Sequence, residues 1–268
     1  MTPHLKRWIT AIVAVPIVFA LVFFGSEALF SGVLTAIVLV AALEYNALSF
    51  GKGFSWEKGE VLCGALLLPL GAFLGGEKLL LAILALLTVA VFLASLFRVK
   101  EGGISLEPVG KVLFGLAYLP LMLSYFILLR KTENGVLWIF FVLLLPISGD
   151  IAAFYFGRTL GKHKLYPRIS PGKTVEGSIG SMVGSVLAVM VYSSFVLTSL
   201  PLLHAAVLAV IGNGISQLGD LFESMIKRAA GVKDSGTILP GHGGMLDRLD
   251  CLIFLVPFVY YYRMLCIP

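Results

Sequence analysis

The chain has 268 residues, 59% of them hydrophobic and 13% charged, with a formal net charge of +5 and a mean hydropathy of +0.98. That balance lies far outside the range of water-soluble domains. Apolar runs of the roughly 20 residues that a spanning helix needs recur along the chain, and strict alternation is absent. Helices rather than a closed barrel therefore satisfy the backbone in hydrocarbon, and the expected fold is all-α and polytopic.

In chain order the hydropathy pattern predicts about nine spans, at 8–24, 28–50, 60–75, 79–97, 110–129, 136–157, 177–199, 202–226 and 250–267. The first follows Lys6 and Arg7 and has no small-residue cleavage pattern near Gly25, so it reads as a retained span rather than a signal peptide. Residues 1–135 hold five of these spans and little polar sequence. Residues 136–268 hold the rest and two polar loops, 158–176 and 227–249, so this half reads as the catalytic region. Of the 20 lysines and arginines, all but Lys78, Arg130, Lys131 and Arg263 fall in the loops on one side. The positive-inside rule then places the N-terminus and both polar loops in the cytoplasm. Cys63, Cys251 and Cys266 have neither disulfide nor zinc spacing and read as small apolar fillers.

Glu44 sits within the apolar second span and Asp150 within the sixth, each either a satisfied core residue or part of a site. The loop after span six contains RISPGKTVEG, 168–177. Its GKT is no phosphate-binding P-loop: position 167 is Pro167 where that motif needs glycine, and no strand is expected ahead of it. Ser170, Lys173 and Thr174 still stand where a helix N-terminus can hold an anion.

Span eight reads as a helix with one polar face. At about 100° per residue, Asn213, Ser216, Gln217, Asp220, Glu223, Ser224 and Lys227 fall within an arc of about 120°. A carboxylate at the centre of a membrane helix costs about 2.5–3.5 kcal/mol on insertion scales. Asp220 and Glu223 are thus expected to face a wet cavity or a cation, with an ion pair to Lys227 as the plainer reading. Asp247 and Asp250 lie one turn apart at the start of span nine. They follow Gly243–Gly244, which permit close backbone approach, and flank Arg248. Carboxylates of this kind suit Mg²⁺ held jointly with substrate phosphates. His242 reads as a phosphate donor, a ligand or a turn residue. Carboxylates and basic side chains thus gather at one membrane face, where a soluble polyphosphate meets a lipid head group. That points to phosphoryl or nucleotidyl transfer to a lipid.

The stretch SMIKRAAGVKDSGTILPGHGGMLDRLD, 224–250, resembles the signature of phosphatidate cytidylyltransferases, also called CDP-diacylglycerol synthases. The matching positions run from Ser224 through Lys227–Arg228, Lys233–Asp234 and His242–Gly243–Gly244 to Asp247–Arg248 and Asp250. SPGKTVEG and the Asp150–Arg158 region are similar to family motifs as well, and Cys251 stands where many members carry serine. The resemblance implies an inner-membrane enzyme that joins CTP to phosphatidic acid, yields CDP-diacylglycerol and pyrophosphate, and requires Mg²⁺. It implies that Asp220 and Asp247, supported by Glu223 and Asp250, hold the metal, with room for a second, monovalent cation such as K⁺. Lys173, Lys227, Arg228, Lys233 and Arg248 would share the substrate phosphates, their division between the two substrates left open. Asp234 and His242 complete the catalytic set, and Ser170, Thr174, Asn213, Gln217, Ser224, Gly243 and Gly244 the substrate-binding set. No nucleic-acid partner is expected, and the apolar first spans are compatible with a homodimer. The rival readings are a CTP-dependent polyprenol kinase, which would release CDP, and, further off, a cation transporter using Glu44, Asp150, Asp220 and Glu223.

Overall fold

Apolar runs separated by short polar turns become helices, and their ends carry the expected caps. In the computed structural model, residues 3–51, 53–98, 105–238 and 243–267 are described, so Lys52, Lys100 and His242 lie outside the described residues. Helices α1 (Pro3–Phe24), α2 (Glu27–Phe50), α3 (Trp56–Phe97) and α4 (Glu107–Leu116) come first. A π turn (Ala117–Leu121) joins α4 to α5 (Met122–Arg130), and α6 (Gly135–Leu160), α7 (Val175–Phe195), α8 (Leu202–Ala229) and α9 (Leu246–Cys266) follow. Ser26, Ser55 and Thr174 cap α2, α3 and α7, each hydroxyl accepting from a backbone N–H three residues on. Pro120 lies inside the π turn. A proline there has no N–H and crowds the preceding carbonyls, which favours a locally widened helix.

Among the described residues, 7 helical segments are long and apolar enough to cross a membrane. One of them, α3, holds two of the predicted spans. Gly76 breaks it with φ +65, and the two arms double back. The proof is in the contacts: a Cβ on Gly64 would lie 3.6 Å from Leu87 Cδ1, whereas a straight helix separates these residues by more than 30 Å. Arg98, just past the end of α3, also pairs with Glu60 at its start at 2.7 Å. Large apolar side chains such as Leu86, Leu93, Phe154 and Leu187 stand exposed, as surfaces that face lipid must. The chain is an integral membrane protein of the all-α class.

It divides into two units, Met1–Leu128 with Asp234–Asp247, and Leu129–Lys233 with Arg248–Pro268. Residues 234–247 thus group with the first unit, apart from their neighbours in sequence. In that unit α2, α3, α4 and the π turn pack together, and the Tyr45 hydroxyl donates to the Lys111 carbonyl at 2.6 Å.

In the second unit α6 and α7 make the most extensive helix pair. Small residues spaced three or four apart let their backbones approach closely: Gly149, Ala152, Ala153 and Gly157 on α6 meet Gly177, Ser181, Gly184 and Ser185 on α7, and Gly180 makes room for the Phe156 ring. A Cβ on Gly184 would strike Ala152 Cβ and come within 3.1 Å of the Ser148 carbonyl. Gly184→Leu is therefore expected to push the two helices apart and to cost about 1–3 kcal/mol, read as a lower melting temperature in detergent.

The loop between α6 and α7 corrects one expectation. It holds a two-stranded antiparallel hairpin, β1 (Lys164–Tyr166) and β2 (Ser170–Thr174), with Lys164 opposite Thr174 and Tyr166 opposite Ser170. Too short to show alternation, it is fixed by Glu176, whose carboxylate accepts from the Lys162 and His163 amides at 3.1 and 3.2 Å and meets His163 Nδ1 at 2.6 Å.

Candidate active site

The second unit contains a cleft of about 520 Å³ whose wall draws on α6, β2, α7, α8 and α9. Asp150 and Arg158 line it from α6, Lys173 from β2, Ser178 and Ser181 from α7, Ser216 and Asp220 from α8, and Cys251 from α9. Each is placed by a local reason. Lys173 is presented by the strand that ends at the Thr174 cap, and Thr174 Oγ1 accepts from Gly177 N at 3.1 Å. Asp220 belongs to the polar face of α8, and Asp250 and Cys251 to the first turns of α9. Backbones come close there, since a Cβ on Gly219 would lie 2.5 Å from the Asp250 carbonyl oxygen.

Charge in the cleft is concentrated and mixed. Lys173 Nζ pairs with Asp220 Oδ2 at 2.5 Å, both side chains about one-quarter exposed (27% and 25%). Carboxylate oxygens of Asp220 and Asp250 and the Cys251 sulfur all lie within 4.8 Å of one another. Asp150 is in electrostatic reach of Asp220, Lys173 and Arg248, and Asp250 of Asp220 and Lys227. Three helices thus bring three carboxylates to one place, with cations around them.

The remaining polar face of α8 mainly holds helices together. Asn213 Nδ2 donates to Ser181 Oγ at 3.0 Å and to Ser185 Oγ at 2.8 Å, and Ser185 Oγ donates to the Leu145 carbonyl at 2.7 Å. Gln217 Nε2 donates to Asn213 Oδ1 at 2.6 Å, and Gln217 Oε1 accepts from Ser178 Oγ at 2.5 Å. Asn213 and Gln217 border the cleft, but their amides are engaged in this ladder between α7 and α8. Glu223 is fully buried and paired with Lys227 at 2.5 Å, one helical turn along. Ser224 is buried beside them. Arg228, exposed at the end of α8, donates to the Ile169 and Val232 carbonyls at 3.4 and 2.9 Å. Ser170 opens β2 and is half-buried, while Lys233, Asp234 and Arg248 are exposed.

Asp247 takes part in a different arrangement, within the first unit. Its Oδ2 accepts from Gly244 N at 2.7 Å, from Ser235 N at 3.0 Å and from Ser235 Oγ at 3.1 Å. Gly243 has φ +81, and a Cβ there would lie 2.6 Å from Asp247 Oδ2, so this turn requires glycine. Asp247 and Asp250 are neighbours by helical spacing, yet their carboxylates make different contacts. Asp150, Arg158 and Cys251, absent from the site set drawn from the sequence, line the cleft. A carboxylate inside an apolar span was the available signal for Asp150.

Carboxylates and an ammonium group set in a cleft among apolar helices define a membrane-embedded enzyme that handles charged substrates. The sequence model of the cytidylyltransferase family matches residues 5–266. A phosphatidate cytidylyltransferase of Staphylococcus saprophyticus is 35% identical over 253 residues, covering 94% of this chain and 95% of that one. That of Bacillus subtilis is 38% identical over 186 residues, 69% of this chain and 66% of its own length, and that of Staphylococcus aureus is 32% identical over 255. The chain belongs to the cytidylyltransferase family and is a nucleotidyltransferase.

Proposed function

We propose that this chain transfers the cytidylyl group of CTP to phosphatidic acid, forming CDP-diacylglycerol and pyrophosphate for phospholipid synthesis. The observation that carries the reading is the convergence of Asp150, Asp220 and Lys173 in one cleft among membrane helices, with Asp250 beside Asp220, in a chain whose relatives bear the name phosphatidate cytidylyltransferase. The bias of lysine and arginine supports a cleft facing the cytoplasm of an inner-membrane enzyme.

The donor set fits Mg²⁺: hard carboxylate oxygens of Asp220 and Asp250 within reach of one another, with Asp150 close by. Of the wider set implied by resemblance, Glu223 engages Lys227 and Asp247 engages the turn at Ser235 and Gly244. The proposed ligands are Asp220 and Asp250, because their oxygens lie within 4.8 Å of one another. Mg²⁺ held there would neutralise triphosphate charge. Lys173, Arg158 and Arg248 supply positive charge to the phosphates as point charges or paired donors. A phosphatidate oxygen, already ionised and needing no general base, bonds to the α-phosphorus of CTP. The bond from that phosphorus to the bridging oxygen breaks opposite it, and pyrophosphate leaves as the anion. Positioning and charge neutralisation account for catalysis of this kind.

The test is purified protein in detergent with phosphatidic acid, Mg²⁺ and CTP labelled at either the α- or the γ-phosphate. Label from the α position is expected in the lipid extract, with γ label remaining in the aqueous phase. Entry of γ label into lipid would instead identify a kinase, and no lipid label from either position would remove the reading.

A further inference from the structure

Glu44 is an acid in the middle of an apolar helix, only 5% exposed, and it lies outside the cleft. Its carboxylate is fully engaged. Oε1 accepts from the Met245 amide at 2.8 Å; Oε2 accepts from the Leu246 amide at 2.9 Å and from Ser235 Oγ at 2.8 Å. The Leu246 amide is the first of α9 and the Met245 amide directly precedes it, at a helix start where N–H groups have no partner within their own helix. A side chain 201 residues earlier in the chain thus caps this helix. The loop is shaped around the carboxylate. A Cβ on Gly236 would lie 2.5 Å from Glu44 Oε1, and one on Gly244 would collide with Glu44 Oε2 and Ser235 Oγ. Through Ser235 the contact continues to Asp247, whose Oδ2 takes the Gly244 amide. Glu44 and Asp247 therefore grip both legs of the signature loop, 234–238 and 243–247, and fix the first turn of α9. Asp250 follows one turn later in that helix.

We propose that Glu44 is a positioning residue for cytidylyl transfer, holding the signature loop and the first turn of α9 so that Asp250 is presented in a fixed place. The inference rests on the function proposed above. The chemistry requires a carboxylate: two oxygens face two backbone donors. A glutamine offers one oxygen and an NH₂, so one amide of Met245 or Leu246 must lose its acceptor.

The experiment compares the parent with Glu44→Gln, Ser235→Ala and the double variant in detergent. It measures α-label transfer against Mg²⁺ concentration and hydrogen exchange over 243–247. Hydrogen bonds to charged groups are among the stronger ones, so Glu44→Gln is expected to lower kcat about ten- to a hundredfold. It is also expected to raise the half-saturating Mg²⁺ several-fold and to speed exchange at Met245 and Leu246. Ser235→Ala removes one hydroxyl, shared between Glu44 and Asp247, and is expected to lower kcat about two- to fivefold; added to Glu44→Gln, it has little further effect. A smaller folded fraction would lower kcat but leave the Mg²⁺ midpoint unmoved. An unmoved midpoint with a kcat loss, or a kcat within about twofold of the parent, overturns the proposal. If the parent itself transferred no label, the function reading would fall instead. The positioning role would then fall with it as a role in transfer, while the exchange data would still show whether Glu44 holds the loop.

Discussion

Asp220→Asn is expected to reduce label transfer on the order of 10²- to 10³-fold, the scale seen when a single preorganised electrostatic contact is removed from a water-poor site. Asparagine keeps the shape of the side chain and removes its charge. The pairing of Asp220 Oδ2 with Lys173 at 2.5 Å is then gone, and so is one carboxylate of the proposed cation site. Asp250→Asn is expected to fall in the same range, since its oxygen lies within 4.8 Å of that of Asp220. Asp247→Asn should be milder, about tenfold, on the scale of groups that orient a site from outside it. The Asn oxygen can still accept from the Gly244 and Ser235 amides. Label transfer at saturating CTP separates the two classes. If Asp247→Asn proved as damaging as Asp220→Asn, Asp247 would have to act at the reacting groups, and the assignment of Asp220 and Asp250 as the pair would be wrong.

Lys227→Met is expected to destabilise the protein by about 3–5 kcal/mol, the usual result of breaking a buried ion pair from one side. Glu223 has no exposed surface, and its carboxylate meets Lys227 at 2.5 Å. Replacing both residues, with Glu223→Leu added to Lys227→Met, should recover most of the lost stability, because a buried pair exchanged for apolar groups is often neutral or better. Melting temperatures in detergent test this. Activity should not return with stability, because Lys227 is also in electrostatic reach of Asp250. A double variant no more stable than Lys227→Met would mean that Glu223 is held chiefly by something other than this lysine.

Several elements were legible before folding was considered. Each of the predicted spans overlaps a helix, because in hydrocarbon the backbone must bond within its own segment. Spans 60–75 and 79–97 are the two arms of α3, and Gly76 provides the turn between them. The polar face of α8 followed from helical period alone. Its residues then part company: Asn213 and Gln217 join α7, Asp220 meets Lys173, and Glu223 meets Lys227. Periodicity gives a direction around one helix and is silent about what stands opposite. The β1–β2 hairpin escaped for a related reason: a strand of 3 residues carries no pattern, and its order comes from Glu176 beyond its end.

What the sequence determined by itself was the membrane class, the family signature across 224–250, and the inventory of acids and bases available for chemistry. These depend on local composition and spacing, which a linear chain displays. Only the tertiary structure decided which acids lie together. Asp150, Asp220 and Asp250 come from three helices and meet because glycines and small residues let α6, α7, α8 and α9 approach closely. Glu44, far off in the chain, became the cap of α9 because that helix start presents backbone donors that nothing local satisfies. A buried carboxylate and buried amides each need a partner, and folding supplied one from 201 residues away in the sequence.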